Sequence, residues 1–351
     1  MRPLFPVFAI VAIALAVTGT LVLCGEPPEA KLAPYAGIVP GEHLPPELKQ
    51  LVQRLGSADP VERAQATLEL RAMGRRGEAA VPYLSKLLSD RSRIRIERDA
   101  DGNDRGPGDR GGSGYFTCPG ALAARALARA GENGTKALLN GMSHASDDVR
   151  RSALDGAGHA EDARVIPPIV RAIADSNGLV REAAEAAVLR RGSMAVDPLA
   201  AALRDGDSQT RVKAASLLSR LNNVRSTRAL LEALGSSNPA VTAAVESALA
   251  RMDERACLPS LIACLDDPSI RPHAIRQLAR VQSAQKTAHV VEALGSSDAR
   301  TRAGAAEALA AIGDATAAGA LRRAQQDAHP EVRRAATDAL AALEEAVIAS
   351  H

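Results

Sequence analysis

The sequence contains very few large aromatic side chains. Among its 351 residues there is no Trp, and there are only three Tyr and three Phe. A large core filled by aromatic rings is therefore excluded. Hydrophobic residues still make up 46% of the chain and charged residues 24%, so the composition is not that of a disordered protein. Because Ala and Leu supply much of the hydrophobic share, the composition predicts an all-helical protein with closely packed helices.

A strong net charge is also absent. The 43 Lys and Arg residues nearly balance the 41 Asp and Glu residues, which leaves a formal net charge of +2. Proteins that hold nucleic acid through its phosphates usually carry a clear basic excess. The charge balance therefore predicts that nucleic acid is not a partner, although a phosphate binder stays open as an alternative function.

Cysteine is sparse, with four residues in the chain. Cys257 and Cys264 are separated by about 10.5 Å along one predicted helix at about 1.5 Å per residue. A disulfide needs Cα atoms within about 7 Å, so we interpret both residues as packing residues. Metal-ligand spacings, His-Glu pairs and nucleophile motifs are also missing from the sequence. The sequence therefore predicts no cofactor, no metal site and no enzyme.

Residues 1–24 have the features of an export or membrane segment. The run from Leu4 to Leu23 carries no charge and is about as long as a membrane span requires. An uncleaved anchor, a cleaved signal and a lipoprotein all stay open. In a lipoprotein Cys24 would be the lipidated residue. The residue before it is Leu23, whereas the lipobox motif has Gly, Ala or Ser at that position. Residues 25–46 are rich in Pro and predict an extended spacer. We expect an exported protein tethered on the extracytoplasmic side, or a secreted or periplasmic one if the segment is cleaved.

One pattern recurs about every 30 residues over residues 47–351. In each copy apolar or small residues occupy an anchor position and the positions 4, 8 and 11 residues later, which lie on one face of a helix. Gly often follows as a helix end, and a second helix begins with Pro in its first turn. Each copy therefore predicts a helical hairpin that must stack on its neighbours to bury its apolar face. The anchors are Val149, Val180, Thr210, Val241, Ile270, Thr301 and Val332, and two earlier copies start near Glu62 and Pro119.

These repeated residues resemble the HEAT-repeat family, in particular its short, phycobilisome-lyase-type repeats. The shared pattern is Pro and Leu, then Asp, then Val-Arg, then an Ala-rich helix that ends in Gly, and it covers residues 47–345. The resemblance implies an all-α, right-handed α-solenoid of about nine helical hairpins.

The same resemblance implies scaffolding and protein recognition more often than catalysis. We therefore expect a non-enzymatic extracytoplasmic scaffold or adaptor that binds a protein partner and attaches to the membrane through its N-terminal segment. Two alternatives stay open. One is a HEAT-type lyase or accessory protein acting on a chromophore-bearing or other protein subunit, and the other is a nucleic-acid phosphate binder.

Charged residues recur around the anchors. The resemblance implies that Asp and Arg side chains form a ladder between repeats, and binding of phosphates or of an acidic partner is the alternative. The Arg residues are Arg150, Arg181, Arg211, Arg271, Arg302 and Arg333, and the Asp residues are Asp148, Asp207, Asp267 and Asp298.

Residues 91–117 interrupt the repeat. The alternation over residues 93–97, a polar turn and a second short run predict a β-hairpin, which either projects from the solenoid or folds back onto it. Residues 99–104 resemble the start of a calcium loop, but the Gly and Glu that such a loop needs are missing. Aromatic residues beside Arg are typical of binding hot spots. The candidate binding residues are therefore Arg93, Arg95, Arg98, Tyr115 and Phe116.

Overall fold

The computed structural model describes residues 35, 37–98, 104–107, 115–236, 238–252 and 254–349. A leading helix, α1 (Pro46–Leu55), packs against the first repeat. Each later repeat except the last contributes a first helix and a second helix in the described part of the chain. Nine first helices and eight second helices follow in the described part of the chain, so the prediction of an all-α solenoid is confirmed.

The first helices carry the anchor positions. Their bounds are α2 (Pro60–Met73), α4 (Pro119–Leu127), α6 (Asp147–Ala157), α8 (Gly178–Arg191), α10 (Ser208–Leu221), α12 (Pro239–Ala250), α14 (Arg271–Arg280), α16 (Ala299–Ile312) and α18 (Pro330–Ala349).

The second helices are extended by short 3₁₀ turns in several repeats. Their bounds are α3 (Val81–Lys86), α5 (Gly131–Met142), α7 (Ile166–Arg171), α9 (Val196–Asp205), α11 (Val224–Ala233), α13 (Glu254–Ala263), α15 (Lys286–Ala293) and α17 (Ala318–Ala324).

The predicted apolar positions form one continuous core from Ile38 to Leu343. Small residues let neighbouring first helices approach closely. A Cβ atom at Gly156 of α6 would lie 2.4 Å from the carbonyl oxygen of Ala124 in α4. The Ala-rich composition is thus explained by close stacking of helices, as the sequence indicated.

Residues with positive φ end several first helices. Gly313 follows α16 with φ of 74°, and Gly74, Gly131 and Gly192 also have positive φ at the corresponding position. Asn222 takes this place after α10 with φ of 43°. Positive φ favours Gly and, among other residues, Asn, which explains both choices.

An arginine ladder connects successive repeats, but its carboxylates are not those predicted from the sequence. The Nε atom of Arg150 donates to Asp175 at 2.8 Å, and its Nη1 atom donates to the carbonyl oxygens of His144 and Ala145. The same two kinds of contact link Arg302 to Asp327, 25 residues later, and Arg63 to Asp90. Each arginine thus bridges the end of one second helix to the turn that follows the next one.

The Asp residues before the anchors have other roles. Asp207 and Asp298 cap α10 and α16 by accepting hydrogen bonds from Thr210 and Thr301 backbone N–H groups. Asp148 instead pairs with Arg91 of the insertion at 2.8 Å. Asp267 pairs with Arg228 at 3.1 Å.

Among the predicted arginines, Arg150 and Arg302 form such rungs, whereas Arg181, Arg211 and Arg333 donate to backbone carbonyl oxygens of the preceding turn. The prediction of the acidic members was wrong, because the partners of Arg150 and Arg302 lie one repeat further along the chain.

The ladder is interrupted in the middle of the solenoid. Thr242 occupies the arginine position in α12, and Ser236 and Ser296 occupy the positions that Asp175 fills in its repeat. Consecutive first helices are also packed most loosely between α12 and α14. A crevice of about 200 Å³ opens there, lined by residues that include Leu249, Met252 and Gln277.

Candidate functional site

The insertion folds back onto the first helices as a three-stranded antiparallel sheet in the order β2-β1-β3. Its strands are β1 (Ile94–Arg98), β2 (Asp104–Pro107) and β3 (Tyr115–Thr117). Ile94 and Ile96 are 4% and 0% exposed, and they form a small core with Ala64 of α2 and Leu122 of α4. Of the two alternatives left by the sequence, the folded-back arrangement is therefore the one observed. The predicted pairing of β1 with β3 is present, and β2 is an additional strand.

The sheet separates the two predicted aromatic residues. Tyr115 lies opposite Ile96 and packs against the small core, and its hydroxyl accepts a hydrogen bond from Nη1 of Arg125 at 3.0 Å. Phe116 points the other way, because side chains alternate along a strand, and it is 61% exposed. Tyr115 therefore anchors the sheet, and Phe116 is available for contact with a ligand.

The predicted arginines are also distributed unequally. The guanidinium group of Arg93 stacks over the ring of Phe116, 3.9 Å from its centroid. Arg95 lies opposite Phe116 in the β1–β3 pairing and is half-buried. Arg98 ends β1, and its side chain lies outside the described part of the chain. The structure thus brings Arg93 and Phe116 together as the outer edge of the insertion.

A cleft of about 600 Å³ lies between this edge and the first helices α4, α6 and α8. Phe116 forms part of one wall, and Leu179, at the start of α8, forms part of another. Leu179 is 50% exposed. The remaining lining residues are Arg91, Arg93, Thr117, Cys118, Ala121, Arg125, Asp148, Arg151, Ser152, Asp155, Glu182 and Ala183.

Part of the charge in the cleft is neutralised within the protein. Nε of Arg91 binds Asp148 at 2.8 Å, and Nε of Arg125 binds Asp155 at 2.8 Å. Asp155 also lies 3.2 Å from Nη1 of Arg190. Burial opposes the charge of Arg125, but the charge of Asp155 and its hydrogen bond outweigh this effect and raise the pKa of the guanidinium. Arg125 therefore stays charged and fixes α4 to α6.

The remaining charged side chains of the cleft are not paired within the described structure. Arg151 and Glu182 have no ion-pair partner among the residues that the structure describes, and Arg93, whose guanidinium lies over the Phe116 ring, has none there either. Ser152 is buried, and its hydroxyl has no hydrogen-bond partner in the described structure. The cleft thus offers two guanidinium groups, one carboxylate, an aromatic ring and aliphatic surface.

This set of groups is suited to binding. Among the described residues, no cluster of three or more His, Cys, Asp or Glu side chains could hold a metal ion. Cys118 lines the cleft as a buried free thiol, 3.5 Å from Nη1 of Arg91. The candidate calcium loop at residues 99–104 falls almost entirely outside the described residues.

The sequence patterns did not identify Leu179, Arg125 or Arg151 as members of a site. Leu179 precedes the anchor Val180, and the corresponding positions in other copies are polar or small, such as Asp148 and Gln209. A large apolar residue at an otherwise polar, exposed position was therefore an available signal.

The N-terminal predictions concern residues that are not described. Cys24, the lipidation candidate, and the whole of residues 1–24 lie outside the described part of the chain. None of the helices in the described part is both long and apolar enough to cross a bilayer.

Comparison with known families identifies the repeats. A family model described as HEAT repeats matches residues 196–271 and 258–341. Residues 196–341 of the chain are therefore HEAT repeats. The matched region runs from α9 into α18, and the same paired helices continue on its N-terminal side to α2. No curated protein matches the chain significantly.

Several solved structures resemble this chain at low TM-score. Human deoxyhypusine hydroxylase is 18% identical with a TM-score of 0.27, and the match covers 76% of this chain and 97% of that one. The complex of CpcE and CpcF of phycocyanin lyase from Nostoc sp. PCC7120 is 18% identical with a TM-score of 0.30, covering 86% and 96%. Kap121p bound to Ste12p is 12% identical with a TM-score of 0.32, covering 84% and 37%.

One expectation from the sequence is corrected by these comparisons. The sequence predicted that the protein is not an enzyme, because helical repeats implied scaffolding more often than catalysis. That exclusion is wrong, since the similar structures include a hydroxylase and a lyase. At these TM-scores the similarities assign neither activity to this chain.

Proposed function

We propose that this HEAT-repeat protein is a scaffold that binds a protein partner in the cleft between the insertion and helices α4, α6 and α8. One observation carries the proposal. Phe116 from the insertion and Leu179 from a repeat are both large, apolar and at least half exposed, and both line the same cleft.

Exposed apolar side chains that share one concave surface are favourable anchors for a partner. Their burial on binding removes apolar area from water, and each large side chain contributes roughly 1.5–3 kcal/mol when fully buried. Aromatic residues and Arg are enriched at the centres of protein interfaces, and this cleft combines Phe116 with four arginines. Stacked helical repeats supply a firm platform for such a site.

The proposal is tested with two double variants. Phe116→Ala/Leu179→Ala removes the apolar anchors of the cleft, and Met194→Ala/Val212→Ala removes two exposed apolar side chains outside it. Partners are enriched from an extract of the source organism on each immobilised protein and quantified by mass spectrometry. The binding of a purified partner is then measured by calorimetry.

We expect the cleft variant to bind the partner at least tenfold more weakly, which corresponds to about 1.4 kcal/mol. The control variant should bind within about twofold of the wild type, because its substitutions lie outside the contact surface. Equal losses in both variants, or no loss in the cleft variant, would place recognition elsewhere.

We also infer that the scaffold acts outside the cytoplasm. The support is the uncharged run of residues 4–23, which is about as long as a membrane span requires. Fusion of residues 1–46 to an alkaline phosphatase that is active only after export provides the test. Phosphatase activity is the expected result.

A second experiment distinguishes a lipid anchor from a protein anchor. The full chain and Cys24→Ser are each separated into membrane and soluble fractions. Loss of Cys24→Ser from the membrane fraction would indicate a lipid anchor, and its retention there would indicate a protein anchor.

A further inference from the structure

The unpaired charges of the cleft define the chemistry of its partner. Four arginines line it, but Asp148 neutralises Arg91, and Asp155 neutralises Arg125. Arg93 and Arg151 therefore face the cleft without a carboxylate partner among the described residues. Glu182 is the one lining carboxylate there that is not already paired. The uncompensated charge of the described lining is positive.

Arg93 is also held in a binding orientation. Its guanidinium carbon lies over the Phe116 ring, 3.9 Å from the ring centroid, and this contact restricts the side chain before any ligand arrives. A stacked guanidinium keeps its N–H donors along the edge, where a carboxylate can accept two parallel hydrogen bonds. The aromatic ring and the nearest charged group thus form one composite surface.

We propose that the segment bound in the cleft is an acidic peptide stretch of the partner, in which an Asp or Glu side chain is adjacent to an apolar one. The acidic group pairs with Arg93 and Arg151, and the apolar side chain packs between Phe116 and Leu179. This inference rests on the proposed function, since it specifies the partner of the same cleft.

A random 12-residue peptide library displayed on phage tests the proposal. Selections are run in parallel on the wild type, on Arg93→Gln/Arg151→Gln, and on Phe116→Ala/Leu179→Ala. Arg322→Gln/Arg323→Gln serves as the charge control, because it removes the same charge from exposed positions of α17. Selected peptides are synthesised, and their affinities are measured by fluorescence anisotropy at two salt concentrations.

Wild type and the Arg322/Arg323 control are expected to enrich peptides with Asp or Glu beside an apolar residue. Replacing the acidic residue by its amide should weaken binding to the wild type at least tenfold. That difference should fall to about twofold in Arg93→Gln/Arg151→Gln. Higher salt should weaken the acidic peptide more than the amide peptide, because exposed charge pairs are screened.

Other outcomes would overturn the proposal in distinguishable ways. The selection could enrich apolar peptides that show no preference for Asp or Glu but whose binding still depends on Phe116 and Leu179. This outcome would refute the charge specificity and leave the proposed binding of a partner in the cleft intact. No peptide that distinguishes the wild type from Phe116→Ala/Leu179→Ala would refute both. A 20-nucleotide single-stranded DNA that binds in an Arg93- and Arg151-dependent manner would identify a phosphate site instead.

Discussion

At the residue scale, one rung of the ladder is a two-point contact between Arg150 and a largely buried carboxylate. Nε and Nη2 of Arg150 bind the two oxygens of Asp175 at 2.8 and 2.9 Å, and both side chains are largely buried. We expect Asp175→Asn to lower the free energy of unfolding by about 1–3 kcal/mol, because the guanidinium loses its largely buried counter-charge and keeps only the more exposed Asp147. Urea denaturation measures the change. Asp338→Asn is the control, since its pair with Arg334 is highly exposed and should contribute less than about 0.5 kcal/mol.

The same pair makes stability depend on pH. The hydrogen bond from Arg150 lowers the pKa of Asp175 below its usual value. The unfolded chain therefore takes up the proton at a higher pH than the folded one, so the contribution of the pair is complete above about pH 4 and is lost as the pH falls through the lowered pKa. The difference in unfolding free energy between wild type and Asp175→Asn should be constant from about pH 7 to 5 and should shrink below about pH 4. If the difference in unfolding free energy stays the same below about pH 4, the ion pair between Arg150 and Asp175 is not its cause.

Two leucines in neighbouring repeats illustrate the difference between a core position and a surface position. Leu218 in α10 is fully buried, and Leu179 in α8 is 50% exposed. We expect Leu218→Ala to cost about 2–5 kcal/mol of stability, since it creates a cavity in the continuous core. Leu179→Ala should change stability by less than about 0.5 kcal/mol, and a larger loss would mean that Leu179 belongs to the core and not to the cleft.

At the element scale, the sheet of the insertion is part of the folded structure and not a detachable appendage. Ile96 is fully buried against α2 and α4, and Arg63 binds both Asp90 and Ser92 at the start of the insertion. We expect Ile96→Ala to lower the free energy of unfolding by about 2–4 kcal/mol. Phe116→Ala, one strand away on the outer side, should leave thermal stability nearly unchanged. Equal melting temperatures for Ile96→Ala and the wild type would contradict this packing.

The helices were predictable from sequence because their signals are local and repeated. The apolar positions 4, 8 and 11 residues after each anchor fix a helical face, and Val241, Val245, Leu249 and Met252 are all buried as expected. The positive-φ helix ends could likewise be predicted from Gly at Gly313 and its equivalents.

The cleft and the ladder partners were less predictable because they depend on contacts between repeats. Nothing local to Tyr115 and Phe116 says which ring faces the helices; that is decided by Ala64 and Leu122, which lie in two different repeats. In the same way, the sequence placed an Asp just before four of the six recurrent Arg residues, but the guanidinium of Arg150 reaches across to Asp175 in the next repeat. Spacing along the chain identifies elements, and the stacking geometry decides which side chains meet.

At the scale of the whole molecule, the missing rungs should weaken the middle of the solenoid. Arg211 occupies the position in its repeat that Arg150 occupies in its own. The residue 25 positions after Arg150 is its partner Asp175, whereas the residue 25 positions after Arg211 is Ser236. We expect Ser236→Asp to form a new rung with Arg211 and to raise the free energy of unfolding by about 0.5–1.5 kcal/mol.

Hydrogen exchange and urea denaturation check this prediction. In the wild type, amides of α12 and α13 should exchange faster than those of α6 and α16, whose arginines have their carboxylate partners. Ser236→Asp should slow exchange near α10 and α12, and adding Arg211→Gln should abolish the gain. Ser236→Asn is the neutral control. A gain that survives Arg211→Gln would come from helix capping and not from a rung.

The loose junction between α12 and α14 divides the solenoid into an N-terminal arm that ends with α12 and a C-terminal arm that begins with α14. The cleft is built wholly from elements of the N-terminal arm, on one side of the junction. Bending at this junction would reorient α14 to α18 without altering the walls that surround Phe116 and Leu179. We therefore expect a partner bound in the cleft to keep its contacts when the C-terminal arm changes direction.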